Sequence, residues 1–226
     1  MTTATAAPTV RSRVGDLAAA QISRWQEGYL RDSPQDVAVL ARLRRGAGRD
    51  AGDLPDLWTL VDTAPLHARR DGVRPLAEEE LVRADNALHA ALTLWALHQQ
   101  SRGARMHRSH SRARPAGLGA AVRRLMPHDG IDEPVRKRLV RAGTAPDLTA
   151  LSQRLRDLIV LLRRADVPLD YGLLAGQLYT WQQPGGADTV RREWGRSFHA
   201  GQQPAASGTN TPDDTPSIPD SDKDAS

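Results

Sequence analysis

Apolar residues recur at intervals of three and four along most of the chain, the period of one buried face of an α-helix. Val14, Leu17, Ala18, Trp25 and Tyr29 form a first stripe, and Ser33 followed by Pro34 reads as the N-cap and first position of a second helix. That helix carries Val37, Leu40, Ala41 and Leu43 inward until the run Gly46, Ala47, Gly48 stops it. Leu57, Trp58 and Val61 keep helical spacing in a short segment over 54–61. The longest helix is predicted over 77–100, with Leu81, Leu88, Ala91, Leu92 and Trp95 on one stripe. Glu78, Glu79 and Glu80 fall in its first turn, where carboxylates complement the helix dipole. Further helices are predicted over 117–126, 134–142, 148–164, 169–182 and 189–199. Leu148, Leu151, Leu155, Leu158, Ile159 and Leu162 make the clearest stripe of all.

No strand alternation and no internal repeat interrupts this pattern. The predicted class is therefore all-α, with two small helical bundles: an N-terminal lobe over 14–126 and a C-terminal lobe over 127–200. The tryptophans Trp25, Trp58, Trp95, Trp181 and Trp194 all fall in helical patterns and are expected to pack in the core. Residues 1–13 are small, polar and unpatterned, and 201–226 hold four prolines with one large apolar residue, Ile218; both ends are expected to be disordered. Residues 101–115, SRGARMHRSHSRARP, break the periodicity with five arginines, two histidines and no acid, and residues 101–116 read as a basic loop or mobile arm.

Charge changes the picture more than composition does. The net charge of +4 conceals an acidic tail beyond residue 200, so residues 1–200 carry 30 basic against 22 acidic groups. Residues 101–164 alone hold 15 basic and five acidic residues, an excess that a polyanion would neutralise. Only Lys137 and Lys223 are lysines; arginine suits bidentate pairing with phosphate. The absence of cysteine excludes disulfides, thiolate metal sites and cysteine nucleophiles. The longest run of large apolar residues, Leu158 to Leu162, is far short of the roughly 20 that cross a bilayer, and the N-terminus has no secretory h-region. A cytoplasmic protein without a membrane partner is expected.

Catalytic chemistry finds little support. The acids stand in first turns or singly among arginines, without the clustering that holds magnesium for a nuclease. His107 and His110 have a ligand-like spacing but lie among arginines that would repel a dication, and no nucleotide-cradling glycine loop or nucleophile elbow occurs. No metal, cofactor or catalytic residue is expected.

The arginines on helices carry the functional signal. Lys137 and Arg141 point away from Val135 and Leu139, forming a solvent-facing basic pair. Arg156 and Arg163 lie seven apart on one stripe, whereas Arg154 and Arg164 point elsewhere. Arg123 and Arg124 straddle the polar side of the helix packed through Leu118, Ala121, Val122 and Leu125. Arg44 and Arg45 end a helix, where a cation gains roughly 0.3 to 1 kcal/mol from the dipole without any ligand. Three functional classes fit such a scaffold: a subunit gripping nucleic-acid backbone, a helical protein-protein adapter, or a stand-alone helical DNA-binding regulator.

One order of motifs narrows the choice. AVLARLRRGAG (38–48) precedes DLWTLV, then HAALTLWALHQQS (89–101), LGAAVRRL (118–125), the long run from VRKRLVRAG to LYTWQQP, and a closing VRREWGRSF. Over roughly 20–199 this order resembles the CasB family, the small subunit of the type I-E CRISPR Cascade complex. The resemblance implies an all-helical, non-catalytic protein packed as two copies along a crRNA-guided filament. It implies contacts with the CasA large subunit, the CasC backbone subunits, a second copy of itself and the crRNA. Its basic surface would steady the target and displaced DNA strands of the R-loop in antiviral defence. Matching motifs carry over Arg44, Arg45, Arg123, Arg124, Arg138, Arg141 and Arg163; the helical placing adds Lys137 and Arg156. The basic loop looks longer than the family's usual link, and Arg105, Arg108, Arg112 and Arg114 are expected to brush displaced DNA.

Overall fold

The computed structural model describes residues 8–68 and 74–200. Along the chain run α1 (Val10–Leu30), α2 (Pro34–Leu43), α3 (Ala64–His67), α4 (Glu78–Gln99), α5 (Leu118–Arg123), α6 (Glu133–Gly143), α7 (Leu148–Arg164), α8 (Tyr171–Trp181) and α9 (Gly186–Ala200). Among the described residues there is no β-strand, only an isolated bridge between His107 and Leu169, and the all-α class holds.

Local chemistry sets the helix starts. Asp132, Asp147 and Asp170 sit at the N-caps of α6, α7 and α8, and each carboxylate accepts the amide of the residue three positions on. Several acids that look isolated in sequence are thus spent on helix ends. At the start of α4, Glu80 accepts from the Ala77 amide and from Arg74, which together hold its carboxyl at about 2.

Helix α4 organises the rest. From Ala87 to Ala96 every side chain is buried, as expected of a helix packed on all sides. Helices α1, α2, α7 and α8 and the turn after α2 lie against it. Trp25 stacks on Trp95 with ring centroids 6.2 Å apart, and Trp181 on Trp194 at 5.7 Å, so these four tryptophans are core residues. Replacing the fully buried Trp95 by alanine would cost about 3–5 kcal/mol. Because α1 packs on α8, and α4 on both α7 and α8, helices from either side of residue 126 contribute to one continuous core.

Three expectations change. Helix α1 begins at Val10, inside the stretch expected to be disordered. The Thr9 side chain caps it, Arg11 makes a bidentate pair with Glu193 at 2.7 and 2.6 Å, and the buried Arg13 donates to the Leu66 carbonyl. Residues 1–7 and the acidic tail over 201–226 lie outside the described residues. Trp58 is 62% exposed rather than in the core, because residues 51–57 form two 3-10 turns, Ala51–Asp53 and Pro55–Leu57, that send Leu57 inward and the indole outward. The basic loop is non-helical, as expected, but anchored to the fold instead of hanging as an arm. Met106, His107 and Ala116 are buried, the Met106 and Ala116 carbonyls accept the Leu169 and Asp170 amides, and Gln26 bonds the His107 backbone.

Candidate nucleic-acid interface

The turn after α2 is a 3-10 turn, Arg44–Gly46, that lies flat on α4. A Cβ on Gly46 would stand 2.7 Å from Thr93 and 2.9 Å from Leu57, so only glycine allows this approach. Gly48 then turns the backbone with φ +81° beneath the Arg156 stem. Helix α7 also packs on α4, and α6 packs on α7. Between the turn and α7 opens a groove of about 660 Å³, whose charged lining consists of Arg44, Arg45, Arg49, Arg141, Arg154 and Arg156 with the single acid Asp157.

Six guanidinium groups thus converge from segments a hundred residues apart. Arg45 is tied to Asp56 at 2.8 Å, and Arg154 donates to the Arg141 carbonyl at 2.6 Å, bracing α7 against the end of α6. Arg44, Arg49, Arg141 and Arg156 make no ion pair among the described residues. An open groove carrying several unpaired guanidiniums can take a phosphodiester backbone, since each planar fork fits a phosphate and no wall reads a base.

Of the residues expected from sequence, Arg44, Arg45, Arg141 and Arg156 are brought together here. Arg123 is not. It is buried, and its guanidinium donates to the Pro127 and His128 carbonyls at 2.7 and 2.9 Å, closing the chain after α5. Arg163 is half-buried and donates to the Gln100 carbonyl at 2.9 Å, holding the end of α7 to the end of α4. Both terminal nitrogens of Arg123 are taken by these carbonyls, whereas Arg163 is held through Nε alone, outside the groove. Arg138 and Lys137 are exposed on α6 outside the groove, Arg138 bonding the Pro134 carbonyl one turn back. Arg124 is exposed, with one nitrogen on the Pro168 carbonyl. Desolvation and then the charge of Arg108 lower its pKa, so these two form a small basic patch apart from the groove. Arg105, Arg108, Arg112 and Arg114 are all exposed on the anchored loop.

Arg49 and Arg154 are lining residues that sequence reasoning passed over. Arg49 follows the glycine stop directly, and that position in LRRGAGR was its only signal. Arg154 stands off the Arg156 stripe, but α6 supplies the wall it points to.

The histidines His98, His107 and His110 serve the fold. Burial pushes His98 down to about 3, and its Nδ1 lies 2.9 Å from the Tyr171 hydroxyl. His107 Nδ1 accepts the Tyr171 amide and His110 Nδ1 accepts the Ala116 amide, so both candidate ligands are engaged in holding backbone. Among the described residues no three His, Asp or Glu side chains come together as a metal site, and no helix is long and apolar enough to cross a membrane.

Comparison with known proteins agrees with this architecture. Residues 39–199 match the family described as CRISPR-associated protein Cse2. The crystal structure of CasB from Thermobifida fusca is 50% identical, with a TM-score of 0.72, over 82% of this chain and 97% of that one. A chain of a CRISPR RNA-guided surveillance complex shares the fold at 23% identity, with a TM-score of 0.60, over 84% of this chain and 95% of that one. No curated protein matches the chain. With most of its length matched by the family and 50% identity to a solved CasB over 82% of the chain, the chain belongs to the Cse2 (CasB) family of CRISPR-associated proteins.

Proposed function

We propose that the chain is a non-catalytic small subunit of a crRNA-guided Cascade complex that binds nucleic-acid backbone and stabilises the R-loop. The observation that carries this reading is the groove of six arginines with one acid, four of them making no ion pair among the described residues. A second support is the match to a family of CRISPR-associated proteins. Opening a target exchanges DNA duplex for RNA–DNA hybrid at nearly equal free energy, so contacts worth a few kcal/mol to a separated strand shift the balance. The groove serves this by charge and shape, without sequence preference. The exposed Arg105, Arg108, Arg112 and Arg114 offer a second basic surface on the anchored loop, apart from the groove, for the displaced strand. CasA, CasC and a second copy of the chain are the protein partners this role requires, in the cytoplasm where crRNA complexes work.

Reconstitution of the complex with and without this chain, followed by strand-specific footprinting of the opened target, tests the reading. Protection of one separated strand that depends on the chain is the expected result. Identical footprints and identical target lifetimes would refute it. An adapter without nucleic-acid contact would instead keep the complex together while leaving both strands unprotected.

A further inference from the structure

Opposite in character to the groove is the segment just beyond it. Residues 50–62 carry four aspartates and no basic residue within an otherwise basic body over 1–200, and only Asp56 has a cation partner among the described residues. From this acidic rim projects Trp58. Its indole nitrogen is bonded to the Ala51 carbonyl at 3.1 Å, so the ring is held in place and what it offers outward is apolar surface. Beside it opens a cavity of about 250 Å³ lined by Leu57, Trp58, Val61, Asp85 and His89.

Two polar atoms of this lining lack partners. Asp85 Oδ1 and His89 Nε2, one helical turn apart on α4, are both buried without a hydrogen bond, and the His89 side chain is 95% withdrawn from solvent. Asp85 itself is half-buried, but a carboxylate oxygen enclosed without a donor is costly, commonly about 1–3 kcal/mol, unless an occupant supplies one. The cavity is smaller than the roughly 300–1,000 Å³ typical of small-molecule sites. It matches instead one long side chain. The aspartates exclude phosphate, and a pinned indole face attracts a cation.

We infer that this pocket is a protein-docking site that receives an arginine or lysine side chain from a partner polypeptide of the complex. The aliphatic stem lies on Leu57, Val61 and Trp58, and the cationic head reaches Asp85 Oδ1. This inference rests on the subunit reading above and adds to it the place and chemistry of one protein contact, separate from the arginine groove. The chain would thus face nucleic acid with guanidinium and a protein with carboxylate.

The test uses the full chain and a crRNA complex prepared without it, with no target DNA present. Asp85→Asn preserves the shape of the pocket and removes its charge, and Trp58→Ala removes the indole face. Each is expected to weaken joining to the complex at least tenfold with an unfolding midpoint no lower than that of wild type, whereas Arg44→Glu with Arg156→Glu joins normally. Wild-type affinity of both pocket variants would overturn the docking site and leave the subunit reading standing. Failure of the wild-type chain to join would overturn both. A variant that changed only self-association of the free chain, seen by sedimentation, would assign the pocket to a second copy and refute the proposal.

Discussion

The groove between the 44–49 turn and α7 and the chain reversal at 123–128 are built from the same residue, and they use it in opposite ways. At the reversal, Arg123 is buried and both of its terminal nitrogens are taken by backbone carbonyls. In the groove, Arg44, Arg49, Arg141 and Arg156 face open space and make no ion pair among the described residues. An arginine enclosed by carbonyls is part of the fold, and an arginine that finds no acceptor at home is available to a ligand. The number of arginines in a segment therefore says less about binding than the fate of each guanidinium does.

The first way to break this contrast is Arg123→Ala. It leaves the Pro127 and His128 carbonyls without their charged donor, and a hydrogen bond from a charged group contributes about 1.5–3 kcal/mol. A loss of about 3 kcal/mol in denaturant unfolding is expected, with target binding per folded molecule unchanged. Reduced binding at full stability would place Arg123 in the interface after all.

Proton linkage separates the two regions again, because the groove holds guanidiniums that stay charged while the core beside α4 holds neutral histidines. Burial lowers His98 to about 3, with the Arg102 and Arg163 charges adding to the effect, and burial lowers His89 and His107 in the same direction. The unfolded chain takes up a proton on each near pH 6.5 that the folded chain refuses. Stability is complete above that pH and falls as pH drops toward 3, by about 2 kcal/mol between pH 6.5 and 5 from His98 alone. Unfolding of wild type and His98→Gln across this range checks it: the variant is expected to lose less on acidification. Equal losses would mean that His98 is not the group responsible.

A smaller effect sharpens the boundary of the groove. Arg138 and Arg141 sit one turn apart on α6, but only Arg141 lines the groove. Arg141→Glu is expected to weaken target binding by the reconstituted complex about tenfold, and Arg138→Glu by less than twofold, with folding of both within about 0.5 kcal/mol of wild type. Equal effects would show a diffuse basic face in place of a groove.

The helices were legible because their signals are local. Helix α7 begins with the leucine stripe at Leu148 and ends at Arg164, just past its last member Leu162, with Asp147 capping it. The groove was only half legible, because its walls meet through the shared packing of the 44–46 turn and α7 on α4, and no local period records that meeting. Arg123 and Arg163 lie outside the groove, because helical spacing shows which side of a helix a residue occupies but not that a neighbouring carbonyl binds its guanidinium. Trp58 was misread for a different reason. Three-residue turns place Leu57 and Val61 much as a helix would, yet Asp50, Asp53 and Asp56 at three-residue intervals, with Pro55 between them, marked 3-10 geometry that the apolar pattern hid.

The central claim, that four unpaired groove arginines neutralise phosphates, is tested most directly by the salt dependence of target binding. Each phosphate neutralised on a single strand contributes about 0.7 to the slope of log affinity against log salt, and about 0.9 on duplex. Replacing Arg44, Arg49, Arg141 and Arg156 together by glutamine in the reconstituted complex is expected to make that slope shallower by about 3, while assembly and the unfolding midpoint stay as in wild type. A slope equal to that of the wild-type complex would contradict the account.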